Sequence, residues 1–264
     1  MSLLKLGLDE FARLDSPLHR WEPRCKLLGL MALIFSFSFV QDLRLLPLMP
    51  VAAFALFAAS RLPLSYLTTR LRYPGFFLLL PAITLPLLSG STVLLRLGPL
   101  ALRQEGSLAV LLIATRFISI FTVGLILFGT SPFLTTIKAL RALGLPPVLA
   151  DMTLLSYRYL YEIGGDLARM ETAMGLRGFK AHRLRRSALG TLASLIGSLL
   201  VRSYERSERV YQAMTLRGYG RSPRRATDEF EAHPRDLIAL GGLLLLAITF
   251  AAGEIAMRLW RGNL

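Results

Sequence analysis

The sequence predicts an all-α polytopic membrane protein, with about five transmembrane helices and long amphipathic helices at the cytoplasmic face. Hydrophobic residues make up 53% of its 264 positions, more than the roughly 45–50% of an ordinary soluble domain. The mean hydropathy is +0.51. In such a chain the formal net charge of +14 indicates cytoplasmic loops rather than a surface for nucleic acid, because basic residues concentrate on the inner side of membranes.

The N-terminal part, residues 1–129, is predicted to contain a cytoplasmic segment followed by four transmembrane helices. Acidic and basic residues are mixed through the first 26 positions, unlike the short basic start of a signal peptide, so we expect a retained, cytoplasmic N-terminus. The apolar runs 27–40 and 45–59 then form a helical hairpin. Its polar turn holds Asp42 and Arg44 at the outer interface.

The third and fourth spans are predicted at residues 76–88 and 107–129, on either side of an outer loop. The basic segment that precedes them on the inside contains three arginines: Arg61, Arg70 and Arg72. Pro81 and Pro86 are expected to kink the third span, which a membrane helix tolerates when neighbouring helices satisfy the freed carbonyls.

Residues 130–235 are predicted to form a cytoplasmic helical region, in which apolar faces alternate with dense charge. Hydrophobic spacing indicates two long helices, over about 148–177 and 184–217. The apolar half of the second, 188–201, is short for a crossing. We expect it to lie obliquely at the membrane face, with a sixth span as the alternative. Residues 236–264 then supply the final span and the C-terminus.

Glu254 lies near the end of this final span. A carboxylate within a membrane is often functional, but Arg258 follows four residues later, in the order that favours an ion pair along a helix. We therefore expect Glu254 to be paired with Arg258 rather than to take part in transport.

A heptapeptide occurs twice in the predicted cytoplasmic region, as AMGLRGF at residues 173–179 and AMTLRGY at residues 213–219. Each copy ends a stretch of helical spacing, so Gly178 and Gly218 are predicted to terminate helices in the left-handed conformation. In such an end the residue after the glycine packs against the residue four positions before the glycine. The expected contacts join Phe179 to Met174 and Tyr219 to Met214.

The duplication indicates more than two ordinary helix ends. One arginine near the last carbonyls of a helix gains about 0.3–1 kcal/mol from the helix dipole, which explains a single copy. Two copies with the same cap suggest two equivalent contacts with a partner that has a pair of matching binding sites. The candidate contact residues are Leu176, Arg177, Gly178, Leu216, Arg217 and Gly218, with Met174, Phe179, Met214 and Tyr219 as supporting residues. The methionines suit ordinary packing and an adaptable interface equally.

The predicted arrangement resembles the transmembrane T component of energy-coupling-factor (ECF) importers, over nearly the whole chain. Three segments are most similar to the cobalt and nickel subgroup, the CbiQ type: residues 15–28, Gly-Leu-Pro at 144–146 and Tyr-Arg-Tyr at 157–159. The signature of the family is Ala-Arg-Gly. Both copies here read Leu-Arg-Gly, which places a bulkier side chain beside each arginine.

The resemblance implies a multi-pass coupling subunit of the inner (plasma) membrane, without a catalytic residue, metal site or cofactor of its own. Two cytoplasmic ATPase subunits would use ATP and Mg, and a separate S component in the bilayer would hold the cargo. Cobalt is favoured, with nickel or a vitamin as alternatives. Each Leu-Arg-Gly copy would dock on one ATPase. The sequence agrees, because it has no Walker-type phosphate loop, and one cysteine with scattered histidines provides no metal framework.

A membrane enzyme acting on phospholipid headgroups is the alternative class, with arginine clusters binding phosphate. The acids available to it are Asp151, Glu162, Asp166 and Glu171. Glu162 and Asp166 share one helical face. No histidine accompanies these acids, so the coupling subunit is the favoured hypothesis.

Overall fold

A computed structural model describes residues 14–88, 93–97, 100–179, 186–220, 230 and 233–262. These residues fall into two compact units. The bundle unit holds the described parts of 8–139 and 230–264, and the helix-pair unit holds those of 140–229. The predicted helical class is confirmed. The helices are α1 (Pro23–Phe39), α2 (Leu48–Ser60), α3 (Leu64–Phe77), α4 (Leu79–Leu88), α5 (Gln104–Gly129), α6 (Phe133–Ala142), α7 (Pro147–Leu176), α8 (Arg186–Leu216) and α9 (Pro234–Gly262).

Helix α1 begins where the sequence supplies both a cap and a proline. The Glu22 carboxylate accepts the Cys25 backbone N–H at 3.0 Å, and Pro23 occupies the first turn, where a missing N–H costs nothing. Lys26 is 2% exposed and donates from Nζ to the Thr130 carbonyl at 3.2 Å. This bond fastens the start of α1 to the loop after α5.

The core of the bundle unit is apolar and lies between α1, α2, α5 and α9. Helix α1 packs against α9 and α5, and α2 and α4 pack against α5. Phe37 and Phe250 meet edge to face with their ring centroids 5.1 Å apart, which joins α1 to α9. Other fully buried members are Leu30, Leu33, Met49, Val123 and Ile126.

Two helices of the described residues are long and apolar enough to cross a membrane, Gln104–Gly129 and Pro234–Trp260. They coincide with the predicted fourth and final spans. Leu48–Ser60 is a shorter apolar helix. Helix α8 does not meet the same criterion, and the total of about five crossings remains a prediction.

The predicted third span differs from the structure. A continuous kinked helix was expected over 76–88, but α3 ends at Phe77 and α4 begins at Leu79. The proline ring of Pro81 clashes with the carbonyl four residues earlier, which belongs to Phe77, and it offers no N–H to that carbonyl. Leu78, the one residue between the two helices, keeps helical dihedral angles, with φ of −70° and ψ of −20°, so the interruption is as short as a kink. At the break Leu78 donates to the Gly75 carbonyl at 3.1 Å, a single tight turn.

The predicted outer loop contains a short antiparallel hairpin of β1 (Val93–Leu97) and β2 (Leu100–Arg103). A Gly-Pro pair separates the two strands in the sequence, and such a pair is a turn signal. The hairpin supplies the β-strands of the part of the chain that the structure describes.

Candidate coupling site

The two repeated segments end their helices in the same way. Gly178 and Gly218 have φ of +83° and +81°, which confirms the predicted left-handed caps. Gly178 donates to the Gly175 carbonyl at 3.0 Å and Phe179 to the Met174 carbonyl at 3.0 Å. These are the two bonds of a Schellman motif, in which the glycine and the next residue cap the last free carbonyls.

The second copy reproduces both bonds at the same lengths. Gly218 donates to the Thr215 carbonyl at 3.0 Å, and Tyr219 donates to the Met214 carbonyl at 3.0 Å. The replacement of Gly175 in the first copy by Thr215 in the second therefore leaves the cap unchanged, because only backbone atoms form it.

The Leu-Arg-Gly motifs, residues 176–178 and 216–218, present apolar and charged groups together to the outside of the helix-pair unit. Leu176 is 86% exposed and Leu216 is 88% exposed. Arg177 and Arg217 are also exposed, and neither forms an ion pair with a residue that the structure describes. The four supporting residues are half-buried behind them: Met174, Phe179, Met214 and Tyr219.

The two motifs differ in one attachment. The Tyr219 hydroxyl donates to Asp151 Oδ2 at 3.0 Å, and Arg141 Nη1 donates to Asp151 Oδ1 at 3.0 Å. Asp151 thus links the end of α8 to the first turns of α7. Phe179, at the equivalent position in the first motif, has no hydroxyl to make such a bond.

An ion pair joins α7 to α8 at positions that lie equally far before the two repeated segments. Arg206 lies 3.1 Å from Asp166 and 3.2 Å from Glu162. Asp166 precedes Leu176 by ten residues, and Arg206 precedes Leu216 by ten residues. The contact is therefore about 15 Å from each motif, at 1.5 Å per residue along each helix.

Arginines also set the ionisation of Asp166. The hydrogen bond from Arg169, aided by the nearby charge of Arg206, holds the pKa of the Asp166 carboxyl below its usual value, against a smaller opposing effect of burial. Asp166 and Glu162 are two of the four acids available to the enzyme alternative, and they are the two that share a helical face. Both are ion-paired with Arg206, which gives them a structural role.

Glu254 has the partner that its sequence position predicted. Its carboxylate accepts a bond from Arg258 Nε at 2.8 Å and also bonds from the backbone N–H groups of Gln41 at 2.9 Å and Asp42 at 3.0 Å. The carboxylate therefore caps the turn between α1 and α2 from α9. Sequence reasoning found the pair along α9 but not the turn, which is more than 200 positions away.

Sequence reasoning also missed Asp151, Arg141 and Arg206 as parts of the site. Arg141 and Asp151 flank a helix break, and 68 positions separate Asp151 from Tyr219. No local pattern signals bonds of that kind. The basic linker residues Arg221, Arg224 and Arg225, and the first thirteen residues, lie outside the described part of the chain.

The apolar helices and the paired caps indicate a helical membrane protein with a duplicated helix end. A family model described as a cobalt transport protein, CbiQ, matches residues 15–227. The chain belongs to this family. The resemblance to T components of ECF importers is thereby confirmed.

Curated relatives agree with this assignment. The energy-coupling factor transporter transmembrane protein EcfT of Heliobacterium modesticaldum is 23% identical over 98% of each chain. The cobalt transport protein CbiQ of Rhodobacter capsulatus is 28% identical, over 75% of this chain and 72% of its own length. A putative ABC transporter ATP-binding protein of Bifidobacterium longum is 27% identical over 62% of this chain, which corresponds to 22% of that protein.

Proposed function

We propose that this chain is the coupling subunit of an ECF-type importer, and that it transmits movement of two cytoplasmic ATPases to a separate membrane S component. The duplicated Leu-Arg-Gly motif carries the proposal. Two identical caps present a leucine more than 80% exposed and an arginine without an ion pair among the described residues. A single chain that meets two equivalent subunits must offer the same contact twice.

Each motif has the composition of a protein contact. An exposed leucine supplies apolar area for a protein interface, and the arginine beside it supplies a positive charge that can form an ion pair with an acidic pocket of the partner. The cap fixes the backbone of both residues, so little conformational entropy is lost when a partner binds. ATP hydrolysis and its Mg would belong to the ATPases, and this chain would perform no chemistry.

The proposed cargo is cobalt, with nickel or a vitamin as alternatives. The family description and the Rhodobacter relative both name cobalt transport. In this arrangement the cargo is held by the S component, and five spans with a cytoplasmic N-terminus place the motifs on the side of the ATPases. A phospholipid headgroup enzyme is disfavoured, because Arg206 and Arg169 already engage the carboxylates of Glu162 and Asp166.

The test is to replace Arg177 and Arg217 by Glu, singly and together, and to measure copurification of the ATPases and uptake of cobalt. A charge contact buried at an interface is worth about 2–5 kcal/mol, or roughly thirty- to several-thousand-fold in affinity. An arginine that only stabilises its own helix loses at most about 1 kcal/mol. The double variant should lose the most, because each single variant retains one docked ATPase.

Arg202→Glu is the matched control. Arg202 is an exposed arginine of α8 that forms no ion pair with a described residue and lies outside both motifs, so its reversal should leave ATPase binding within about threefold of the parent. Size-exclusion behaviour in detergent checks folding. A double variant that assembles and transports like the parent would remove the proposed coupling role.

A further inference from the structure

A cavity of about 690 Å³ opens in the bundle unit, where the segment before α1, the end of α2 and the start of α9 come together. Its volume is typical of sites that hold small molecules. One wall is apolar and includes Leu18, Leu56, Ala239 and Leu243. The Leu-Arg-Gly motifs do not take part in it.

The lining also carries positive charge, supplied by Arg20 before α1 and Arg235 at the start of α9, which together form its charged edge. Arg20 is paired only weakly, since its side chain is 77% exposed and lies 3.4 Å from Asp15, which is 83% exposed. Arg235 is exposed and forms no ion pair with a described residue.

The acid in the lining is already engaged. Asp236 accepts the backbone N–H of His233 at 3.1 Å, which caps the start of α9. Helix α9 begins at Pro234, so the positive end of its dipole also faces this edge. The lining therefore holds two arginines against one carboxylate, a formal charge of +1 that the helix end reinforces and an anion would neutralise.

We propose that this cavity binds an anionic phospholipid of the cytoplasmic leaflet. The phosphate of the headgroup would lie between Arg20 and Arg235, and an acyl chain would lie along the apolar wall. A soluble anion would occupy only the charged edge and leave the apolar wall uncovered. Anionic lipids are concentrated in the cytoplasmic leaflet, so this proposal rests on the proposed topology, which puts the start of α9 on that side.

The chain contains a reporter for such a lipid. Trp21 lines the cavity and donates from Nε1 to the Asp236 carbonyl at 3.2 Å. There are two tryptophans in the sequence, and Trp260→Phe leaves Trp21 alone. The full-length variant in nanodiscs is titrated with phosphatidylglycerol or phosphatidylcholine carrying brominated acyl chains, which quench tryptophan at close range.

Phosphatidylglycerol should quench Trp21 at a lower mole fraction than phosphatidylcholine. Each arginine near an anionic surface strengthens binding to it about fivefold. Arg20→Gln and Arg235→Gln should therefore each lower the preference for phosphatidylglycerol over phosphatidylcholine about fivefold, and the double variant should abolish that preference. Arg72→Gln is the control, because Arg72 is exposed on α3 in the same unit but does not line the cavity.

Three results would overturn the lipid site. Equal quenching by both lipids in the unchanged chain would do so, as would a preference that persists in the double variant. If inorganic phosphate removed the preference for phosphatidylglycerol over phosphatidylcholine, the two arginines would instead be a site for a soluble anion. If the double variant does not fold, native mass spectrometry of the unchanged chain decides, since a retained phosphatidylglycerol adduct supports the site and its absence refutes it. ATPase binding through the Leu-Arg-Gly motifs is measured separately, so failure of one proposal leaves the other testable.

Discussion

Gly178 and Gly218 hold the exposed ends of α7 and α8 in a backbone conformation that other residues adopt at a cost. A Cβ added at either glycine would meet nothing within 4 Å. Replacement therefore changes only the backbone energy and does not disturb packing. Substitutions at these two glycines therefore test the helix cap alone, without a change in side-chain packing.

Gly178→Val and Gly218→Val should destabilise the helix ends more than the Asn replacements at the same sites. An L-residue in the left-handed region costs about 1–2 kcal/mol, most for a β-branched side chain and less for Asn. Hydrogen exchange of the last turns of α7 and α8, together with ATPase copurification, would measure the difference.

Gly175→Ala is the control for the cap variants. Gly175 also has open space around its Cβ position but lies inside α7, where Ala should stabilise by about 0.5–1 kcal/mol. Equal defects for Val and Asn at Gly178 would contradict the cap argument.

Among the residues of the site, those with local signals were predictable and those with distant partners were not. The caps follow from a glycine placed after a helical run, which the sequence shows directly. The bond between Tyr219 and Asp151 depends on how α7 and α8 pack, and that packing has no signature within a window of the chain.

At the level of elements, the turn between α1 and α2 is held by a carboxylate from α9. Glu254 is 1% exposed and satisfies two backbone N–H groups of that turn. The pattern of α9 predicts its ion pair, whereas a proline in an apolar run predicts an interruption between α3 and α4 without deciding between a kink and a helix end.

Glu254→Ala should lower stability by about 2–5 kcal/mol, because the buried N–H of Asp42 and the partly buried N–H of Gln41 lose their acceptor. Arg258→Gln should cost less than about 1 kcal/mol, since the Arg258 side chain is 45% exposed. The thermal unfolding midpoint in detergent measures both. A Glu254→Gln variant that keeps its midpoint but loses cobalt uptake would instead assign the carboxylate a role in transport.

For the whole molecule, the alternation of apolar runs and arginine clusters predicts which segments face the cytoplasm. Composition and charge are sufficient to predict the fold class and the two longest spans, because the fold class and a long span each depend on a sum over many residues. The shorter apolar helices carry too few residues for their membrane crossing to follow from length alone.

In intact cells, a cysteine at position 207 should resist a membrane-impermeant thiol reagent, and one at position 43 should react. Ser207 lies on α8, in the predicted cytoplasmic region, and Leu43 lies in the predicted outer turn and is 42% exposed. A Cys25→Ser background removes the native thiol, and lysed cells provide the control in which both positions react. Strong labelling at position 207 in intact cells would reverse the predicted orientation.

The ion pair between Asp166 and Arg206 has a mechanical consequence. It joins two helices at points that are equally far, about 15 Å, from the two motifs. If two ATPases dock as proposed, the forces that they apply at the two leucines would act at equal distances from this contact along the two helices.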